Sequence, residues 1–548
     1  MTTPRLLDVL HELADADPDA VALIDARAGK QSAGRVSRRQ LLAQAGVLSA
    51  ELRRRGVDAG DCIGVWLPNW SHAVVAQLAA LSVGAHLIGL NTRYNSDEVG
   101  HVLQTARPRV LLIAHDFNGL DLLGPLRTVL EHDPTATPQL LVVPAPGHSL
   151  PADLSDYELG DGIVVGPLPT SDNVDAKNND AESIRPHPKD NLATAFTTSG
   201  STGWPKLAAH LESAVVEHAL AVGRRLGLTA NDVILGALPL SGAFGFATAM
   251  PALLAGSPIV LEPVFDADGV LLDMAEFGVS HIVGADDLIG RLATAWRSEP
   301  RPLSLRWLGI ADFEGHSKEL AAWAEEELGA ITAGVYGSSE LFALTSFWPS
   351  DYPTEQRWNG GGRVVMDSVE VRVADPETDA VVPDGEQGEL QFRGPNVADA
   401  YLGAPELRAQ MFTEDGWFHT GDLGLLVAPG TFQYVCRQGD GLRLRGFLVD
   451  PAEIEVRIGA HPGVALVKVV GVPGADGATC AVAFAVAKDG AHPTEAELIA
   501  WSAETLAKFK VPSEVHILDH MPTTSGVNGT KIRTAELRAM AIKGRSPL

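Results

Sequence analysis

The sequence predicts an α/β fold: a large N-terminal domain of two α/β lobes plus a β subdomain, followed by a small α+β C-terminal domain. Three observations predict it. Short apolar runs alternate with helical periodicity through the first half of the chain, the pattern of βαβ units around a largely parallel sheet. After about residue 359 the runs shorten and alternate apolar with polar residues, as antiparallel strands do. From about residue 437 a stretch the size of a compact domain carries its own helices and strands.

The elements follow in order. Residues 6–13 read as a short amphipathic helix. A second helix covers 37–55, with Leu41, Leu42, Ala45, Leu48 and Leu52 at helical spacing and Gly56 as its stop. Then come a strand over 62–67, a helix over 71–83, and strands over 85–90, 109–114 and 139–143. Residues 165–190 are crowded with Pro, Asp, Asn and Ser and read as a surface loop or linker. The second lobe holds a helix over 213–226 and strands over 232–238, 257–262, 280–284 and 305–310, with helices between them. Strands over 369–373, 388–393 and 432–435 form the β subdomain. The last domain carries a helix over 451–458, strands over 464–472 and 479–487, a helix over 494–506, and a tail rich in turn residues that ends near Arg538.

Composition narrows the function. Of 548 residues, 45% are hydrophobic and 20% charged, which suits large buried cores. The net charge of −27 supplies no basic field for a nucleic-acid backbone, so a nucleic-acid partner is not expected. An acidic protein that binds nucleotide then needs a local cationic site. Cys62, Cys436 and Cys480 are far apart and odd in number, so no disulfide framework or zinc set is visible and a reducing compartment is expected. The first residues lack the apolar core of a signal peptide, and no apolar run has the length of a membrane span. A soluble, cytoplasmic protein without a membrane partner is the expectation.

One stretch stands out: Ala195-Phe-Thr-Thr-Ser-Gly-Ser-Thr-Gly-Trp-Pro-Lys206. Its hydroxyls and backbone N–H groups can converge on an anion, with Lys206 as counter-charge. A flexible surface loop has the same composition. It is not a P-loop, because no Gly-Lys-Ser/Thr follows the glycines. Further motifs follow: Gly334-Val-Tyr-Gly-Ser-Ser-Glu340, Asp415-Gly-Trp-Phe-His-Thr-Gly-Asp-Leu-Gly424, Arg437 through Gly446-Phe-Leu-Val-Asp-Pro-Ala-Glu-Ile-Glu455, and Pro522-Thr-Thr through Gly529-Thr-Lys531 with Leu537-Arg538 after it. Leu90-Asn-Thr-Arg-Tyr94 precedes them all.

In this order and over nearly the whole chain, these motifs resemble the adenylate-forming superfamily of acyl- and aryl-CoA synthetases, peptide-synthetase adenylation domains and luciferases. The resemblance implies a division into an adenylation domain over 1–436, a hinge over 437–440, and a mobile C-terminal domain over 441–548. It implies that Thr197, Thr198, Ser199, Gly200, Ser201, Thr202, Gly203 and Lys206 hold the β,γ-phosphates of ATP. Tyr336 and Gly337 then meet adenine, Ser339 the α-phosphate, Asp422 the ribose, and Arg437 ribose or phosphate. Glu340 offers a hard oxygen for Mg²⁺. Lys531 is the implied catalytic cation, bridging the incoming carboxylate and the α-phosphate as charge develops. Arg445, Gly446 and Phe447 then guide the thiol of CoA. Each residue has a plainer reading beside this one: solvated lysines at 206 and 531, a helix-start carboxylate at 340, a turn aspartate at 422, a surface arginine at 437.

The chain departs from the family pattern in four places. Gly439 stands at the hinge, where Asp or Lys is usual. Ser241 and Gly242, ahead of Phe244, replace an aromatic–histidine pair and leave space near the reacting carboxylate, or are a packing variant. Asp312-Phe-Glu-Gly315 replaces a Gly-rich loop. Asp312 and Glu314 either recognise an amino group or face water. Val527 to Thr530 lengthen the approach to Lys531. The expected reaction is ATP- and Mg²⁺-dependent adenylation of an aromatic or medium-sized hydrophobic acid, then thioester formation with CoA, by a monomer or homodimer. Two alternatives stay open. One is another acceptor or acid, a carrier-protein thiol or nitrite activated for aryl-amine diazotisation; the other is a non-catalytic nucleotide-binding relative.

Overall fold

The computed structural model describes all residues except 1–2, 27–33, 134–137, 158, 160–163, 170–190, 199–205, 314, 399, 439–441, 445–446, 450, 474–478, 507, 509, 527–528 and 545–548. The fold is the expected one. In the first lobe seven strands run in the spatial order Val165–Pro167, Gln139–Val143, Val110–Ala114, Cys62–Trp66, His86–Gly89, Leu192–Thr197 and Leu207–Leu211. All are parallel except the last, which turns back against Leu192–Thr197. Val110–Ala114 has no polar side chain and is buried at every position, as a strand covered on both faces must be.

Helix Ser71–Val83 lies between the lobes, packed on strands of both sheets. It is apolar around most of its circumference and almost wholly buried, which fits an inner layer. Helix Arg38–Arg54 begins with a capping box from Ser37 and Gln40.

The second sheet is larger than expected. Among the described residues it has thirteen strands, from Glu370–Ala374 at one edge to Gly34–Ser37 at the other. Its centre is parallel: Ile331–Tyr336, Trp307–Ala311, His281–Ala285, Ile234–Gly236, Ile259–Leu261 and Val21–Asp25. The antiparallel strands of the β subdomain do not form a sheet of their own. Ser346–Phe347 pairs with both Ile331–Tyr336 and Gly361–Val364, so the sheet continues through it.

A single apolar core from Leu6 to Phe432 unites both lobes and the subdomain. The C-terminal domain has a five-stranded sheet of its own and two small cores, one around Ile454 and Leu498 and one around Phe484 and Leu537.

Two local readings are corrected, and one strand without a reading is added. Val165–Pro167 is an edge strand beside Gln139–Val143 rather than loop, and residues 170–190 lie outside the described residues. The turn-rich tail forms a hairpin, Thr523–Gly526 with Gly529–Ile532, and a helix, Thr534–Gly544. Leu537 and Ala541 bury one side of that helix, so tertiary packing decides it. Val21–Asp25, too short to declare itself, joins the second sheet. No helix among the described residues is long and apolar enough to cross a membrane.

Candidate active site

The Ser/Thr/Gly stretch caps a β-hairpin. Strands Leu192–Thr197 and Leu207–Leu211 pair up to Thr197 opposite Leu207, and Thr198 N–H donates to the Lys206 carbonyl at 2.8 Å. Its base is therefore closed by backbone, whatever the tip does. Ser199, Gly200, Ser201, Thr202 and Gly203 lie outside the described residues. Thr197 and Thr198 are buried, and the Thr197 hydroxyl is 2.7 Å from that of Tyr94.

The parallel strand Ile331–Tyr336 ends at Gly337, and the chain then folds sharply through Ser339 and Glu340. Phe342, Ala343 and Leu344 all have positive φ, 64°, 40° and 37°. Three successive left-handed side-chain-bearing residues are costly and persist only if the surroundings enforce them. Those surroundings are visible. Phe342 is fully buried among Phe196, Phe246, His210 and His218. A Cβ on Gly337 would come within 2.7 Å of the Ala343 and Leu344 backbone, so only glycine lets the turn close.

His210 Nε2 lies 2.7 Å from the Ser339 carbonyl and His218 Nε2 3.2 Å from the Leu344 carbonyl. Burial pushes both imidazoles down to about 4, so each is neutral and donates from Nε2–H. Ser339 Oγ donates to the Thr197 carbonyl at 3.4 Å and joins this turn to the hairpin.

Two polar assemblies converge here. In the first, Tyr336 donates to Asp422 Oδ2 at 2.7 Å and Arg437 Nη1 to Asp422 Oδ1 at 2.8 Å. Strand register sets Asp422 opposite Arg437. Burial raises the Asp422 carboxyl above its ordinary range, against the opposing pull of Arg437 and Tyr336. The Tyr336 ring lies nearly parallel to Phe392, centroids 5.9 Å apart, with Phe432 and Tyr434 around it. In the second assembly the Tyr401 hydroxyl donates to Glu340 Oε1 at 3.0 Å, and Lys206 Nζ sits 5.0 Å over the Tyr401 ring. The structure thus brings together Thr197, Thr198, Ser339, Glu340 and Lys206 on one side, and Tyr336, Asp422 and Arg437 on the other.

Beneath Asp422, Gly421 turns with φ 66° and donates its N–H to the buried Glu389 Oε1. Glu389, His419 and Asp379 place one ligand atom each within 4.8 Å of one another. Every member is already hydrogen-bonded, to one another or through Gln391. The cluster supports the turn that carries Asp422.

Ser241, Gly242 and Phe244 enter helix Ala243–Ala255, which lays Phe246 on Phe196 and Phe342. Buried Asn69 clamps the approach: its amide donates to Gly236 and Leu238, and its oxygen accepts from Leu240 N–H. Gly89 leaves room for the Ser241 backbone, which a Cβ would meet at 2.5 Å. Asp312 is taken up locally, accepting from Gly315 N–H at 2.9 Å and Ser317 Oγ at 2.8 Å. Phe313 beside it is exposed, and Glu314 lies outside the described residues.

Lys531 stands in the strand Gly529–Ile532, paired with Thr524. That strand packs alongside helix Asp286–Ser298 of the large domain. The first residue of that helix, Asp286, accepts from Phe313 N–H at 3.2 Å. Gly439, Arg445 and Gly446 lie outside the described residues. The motifs left Tyr401, His210, His218 and Asn69 unmarked, because each acts on a partner more than sixty residues away.

Comparison with known proteins now decides the family. Residues 10–402 match the model of the AMP-binding enzyme family, and residues 453–526 that of the AMP-binding enzyme C-terminal domain. The chain belongs to the AMP-binding enzyme family. Among its curated relatives is the 3-[(3aS,4S,7aS)-7a-methyl-1,5-dioxo-octahydro-1H-inden-4-yl]propanoyl:CoA ligase of Rhodococcus jostii (strain RHA1), 31% identical over 86% of this chain and 88% of the relative. A feruloyl-CoA synthase of an Amycolatopsis species is 30% identical over 90% and 91%. Among solved structures, ATP-bound MatB from Rhodopseudomonas palustris superposes with a TM-score of 0.79 at 26% identity, covering 99% of this chain and all of that one. In this AMP-binding enzyme the hairpin, the Glu340 turn and Asp422 surround one position at the carboxyl end of strand Ile331–Tyr336, where α/β sheets bind ligands.

Proposed function

We propose that this AMP-binding enzyme is an ATP-dependent carboxylate–CoA ligase. It adenylates an aromatic or medium-sized hydrophobic acid and then forms its thioester. The observation that carries the reading is the convergence on strand Ile331–Tyr336 of a carboxylate with two donors, Asp422, and a carboxylate, Glu340, bonded to the tyrosine whose ring carries Lys206. The first suits ribose hydroxyls, the second a polyphosphate. The curated relatives that are named as CoA ligases support the acceptor.

The roles follow from the donors present. The Thr198 hydroxyl donates to the β,γ-phosphates, its N–H being spent on the Lys206 carbonyl, and Lys206 adds a point charge. Asp422 keeps lone pairs beyond those used by Tyr336 and Arg437, and these accept from ribose. Glu340 fits Mg²⁺, since it presents hard carboxylate oxygen beside the phosphate hairpin, and a bound Mg²⁺ would neutralise phosphate charge there. The acid carboxylate attacks the α-phosphorus, an O–P bond forms, and the bond to pyrophosphate breaks. Lys531 carries the positive charge that meets the new anionic oxygens. In the second step the thiol adds to the acyl carbon, its proton leaves to solvent, and AMP departs with the electron pair of the acyl–oxygen bond.

The large sheet ends at Arg437 and the small one begins at Leu442, which favours a hinge over 437–440 and exchange of Lys531 for the 445–447 segment between steps. Asp312, spent on its own turn, favours an uncharged group on the acid over an amine. We also place the enzyme in the cytoplasm, as a monomer or homodimer. Pyrophosphate release measured across a panel of aryl and medium-chain acids, with and without CoA, tests the reading. Release with an aryl acid and consumption of CoA are expected. Release with nitrite plus an aryl amine and no CoA consumption would overturn it.

A further inference from the structure

Tyr401 belongs to none of the motifs assigned above, yet it touches two of them. Its hydroxyl meets Glu340 Oε1 at 3.0 Å, and its ring carries Lys206 Nζ at 5.0 Å. The backbone around it is stitched to the same two places. Ala398 N–H donates to the Glu340 carbonyl at 2.7 Å, Leu402 N–H to the Leu207 carbonyl at 2.9 Å, and Ala209 N–H to the Ala400 carbonyl at 3.3 Å. Tyr401 is itself buried and bridged to Ala208.

We propose that Tyr401 is a positioning residue, which holds the Glu340 carboxylate and the Lys206 ammonium at one fixed separation so that a nucleotide-bound divalent cation and the phosphates meet a preset pair of charges. The proposal rests on the adenylation reading and adds to it a residue and a role. Glutamate and lysine side chains are flexible, and ordering both on binding would cost affinity. One aromatic side chain orders both beforehand. Its hydroxyl fixes the carboxylate, and its face holds the ammonium beside that carboxylate without closing an ion pair. A lysine ion-paired with Glu340 would be half neutralised before any phosphate arrived. Seated on the ring it keeps its charge free.

The test is nucleotide-dependent Mn²⁺ binding, followed by electron paramagnetic resonance with α,β-methylene-ATP, in the full chain and in Tyr401→Phe, Glu340→Asp and the double variant. Phenylalanine keeps the ring under Lys206 and removes only the hydroxyl. Aspartate withdraws the carboxylate from the hydroxyl and leaves the buried tyrosine untouched, so the inference stays testable if Tyr401→Phe folds poorly. Each single change is expected to weaken Mn²⁺ binding about tenfold, as loss of a hydrogen bond to a charged group does. The double variant is expected to be no weaker than Glu340→Asp alone. In Tyr401→Phe, thioester formation from pre-made acyl-adenylate is expected to stay unchanged. Additive losses, or equal loss in both half-reactions with a lowered melting temperature, would show a merely structural tyrosine and overturn the inference. Full Mn²⁺ affinity in Tyr401→Phe would do the same while leaving the adenylation reading intact. Absence of nucleotide-dependent Mn²⁺ binding in the unaltered chain would overturn both.

Discussion

Tyr336 and Asp422 are joined by a 2.7 Å hydrogen bond between groups that are both buried. The bond ties the parallel centre of the large sheet to its antiparallel extension. It also leaves Asp422 dependent on a donor from outside its own strand. Tyr336→Phe keeps the packing against Phe392 and removes that donor. The expected cost is about 1–3 kcal/mol, because a buried carboxylate oxygen loses its partner. Urea unfolding checks this, and ATP-dependent adenylation should fall with it. Unchanged stability would mean that Arg437 alone satisfies Asp422.

Lys531, proposed above as the cation of the first step, gives a test that separates the two half-reactions. Lys531→Ala is expected to lower pyrophosphate release at least a hundredfold, as loss of a charge aimed at the transition state does. Thioester formation from a pre-made acyl-adenylate should be largely spared. Comparable losses in both steps would count against exchange of the C-terminal domain between two positions.

The Glu340 turn makes stability depend on acidity. His210 and His218 are held at about 4 in the folded chain and return to their ordinary value of about 6.5 on unfolding. Between those values the unfolded chain binds more protons, so stability rises with pH through the window and is lost as pH falls from 6.5 towards 4. The loss is on the order of 3 kcal/mol per histidine across the window. Glutamine supplies an N–H near Nε2 without titrating. A His210→Gln/His218→Gln chain should show a flatter profile between pH 7 and 4.5 in urea unfolding. An unchanged slope would place the acid sensitivity elsewhere.

Two glycines predict opposite outcomes for one substitution. Gly337→Ala drives a Cβ into the Ala343 and Leu344 backbone at 2.7 Å and should cost about 1–3 kcal/mol along with activity. Gly46, in the exposed face of helix Arg38–Arg54, has nothing within 4 Å of a built Cβ, and Gly46→Ala should stabilise by about 0.5–1 kcal/mol. Thermal melts of the pair decide both.

The Ser280, His281 and Asp232 side chains show why residue types alone mislead. Ser280 Oγ donates to Asp232 and lies 2.8 Å from His281 Nδ1. The group sits buried at the amino ends of strands Ile234–Gly236 and His281–Ala285, away from the site, and Arg306 ties it down. It clasps the sheet.

The sequence by itself determined the family and the α/β lobes, and named the residues of the candidate site. Those are written locally: apolar runs such as Val110–Ala114 have to be covered strands, and Gly337 or Asp422 stands inside a contiguous motif. Only the tertiary structure decided that Tyr401 meets Glu340, that His210 and His218 hold the strained turn after it, and that Asp312 is consumed by Gly315 and Ser317. It also decided that the β subdomain continues the large sheet and that the tail ends in a helix. The physical reason is one of range. Periodicity and turn chemistry act over a few residues, whereas a buried hydrogen bond takes whichever partner packing brings within 3 Å, and here that partner is often more than sixty residues away.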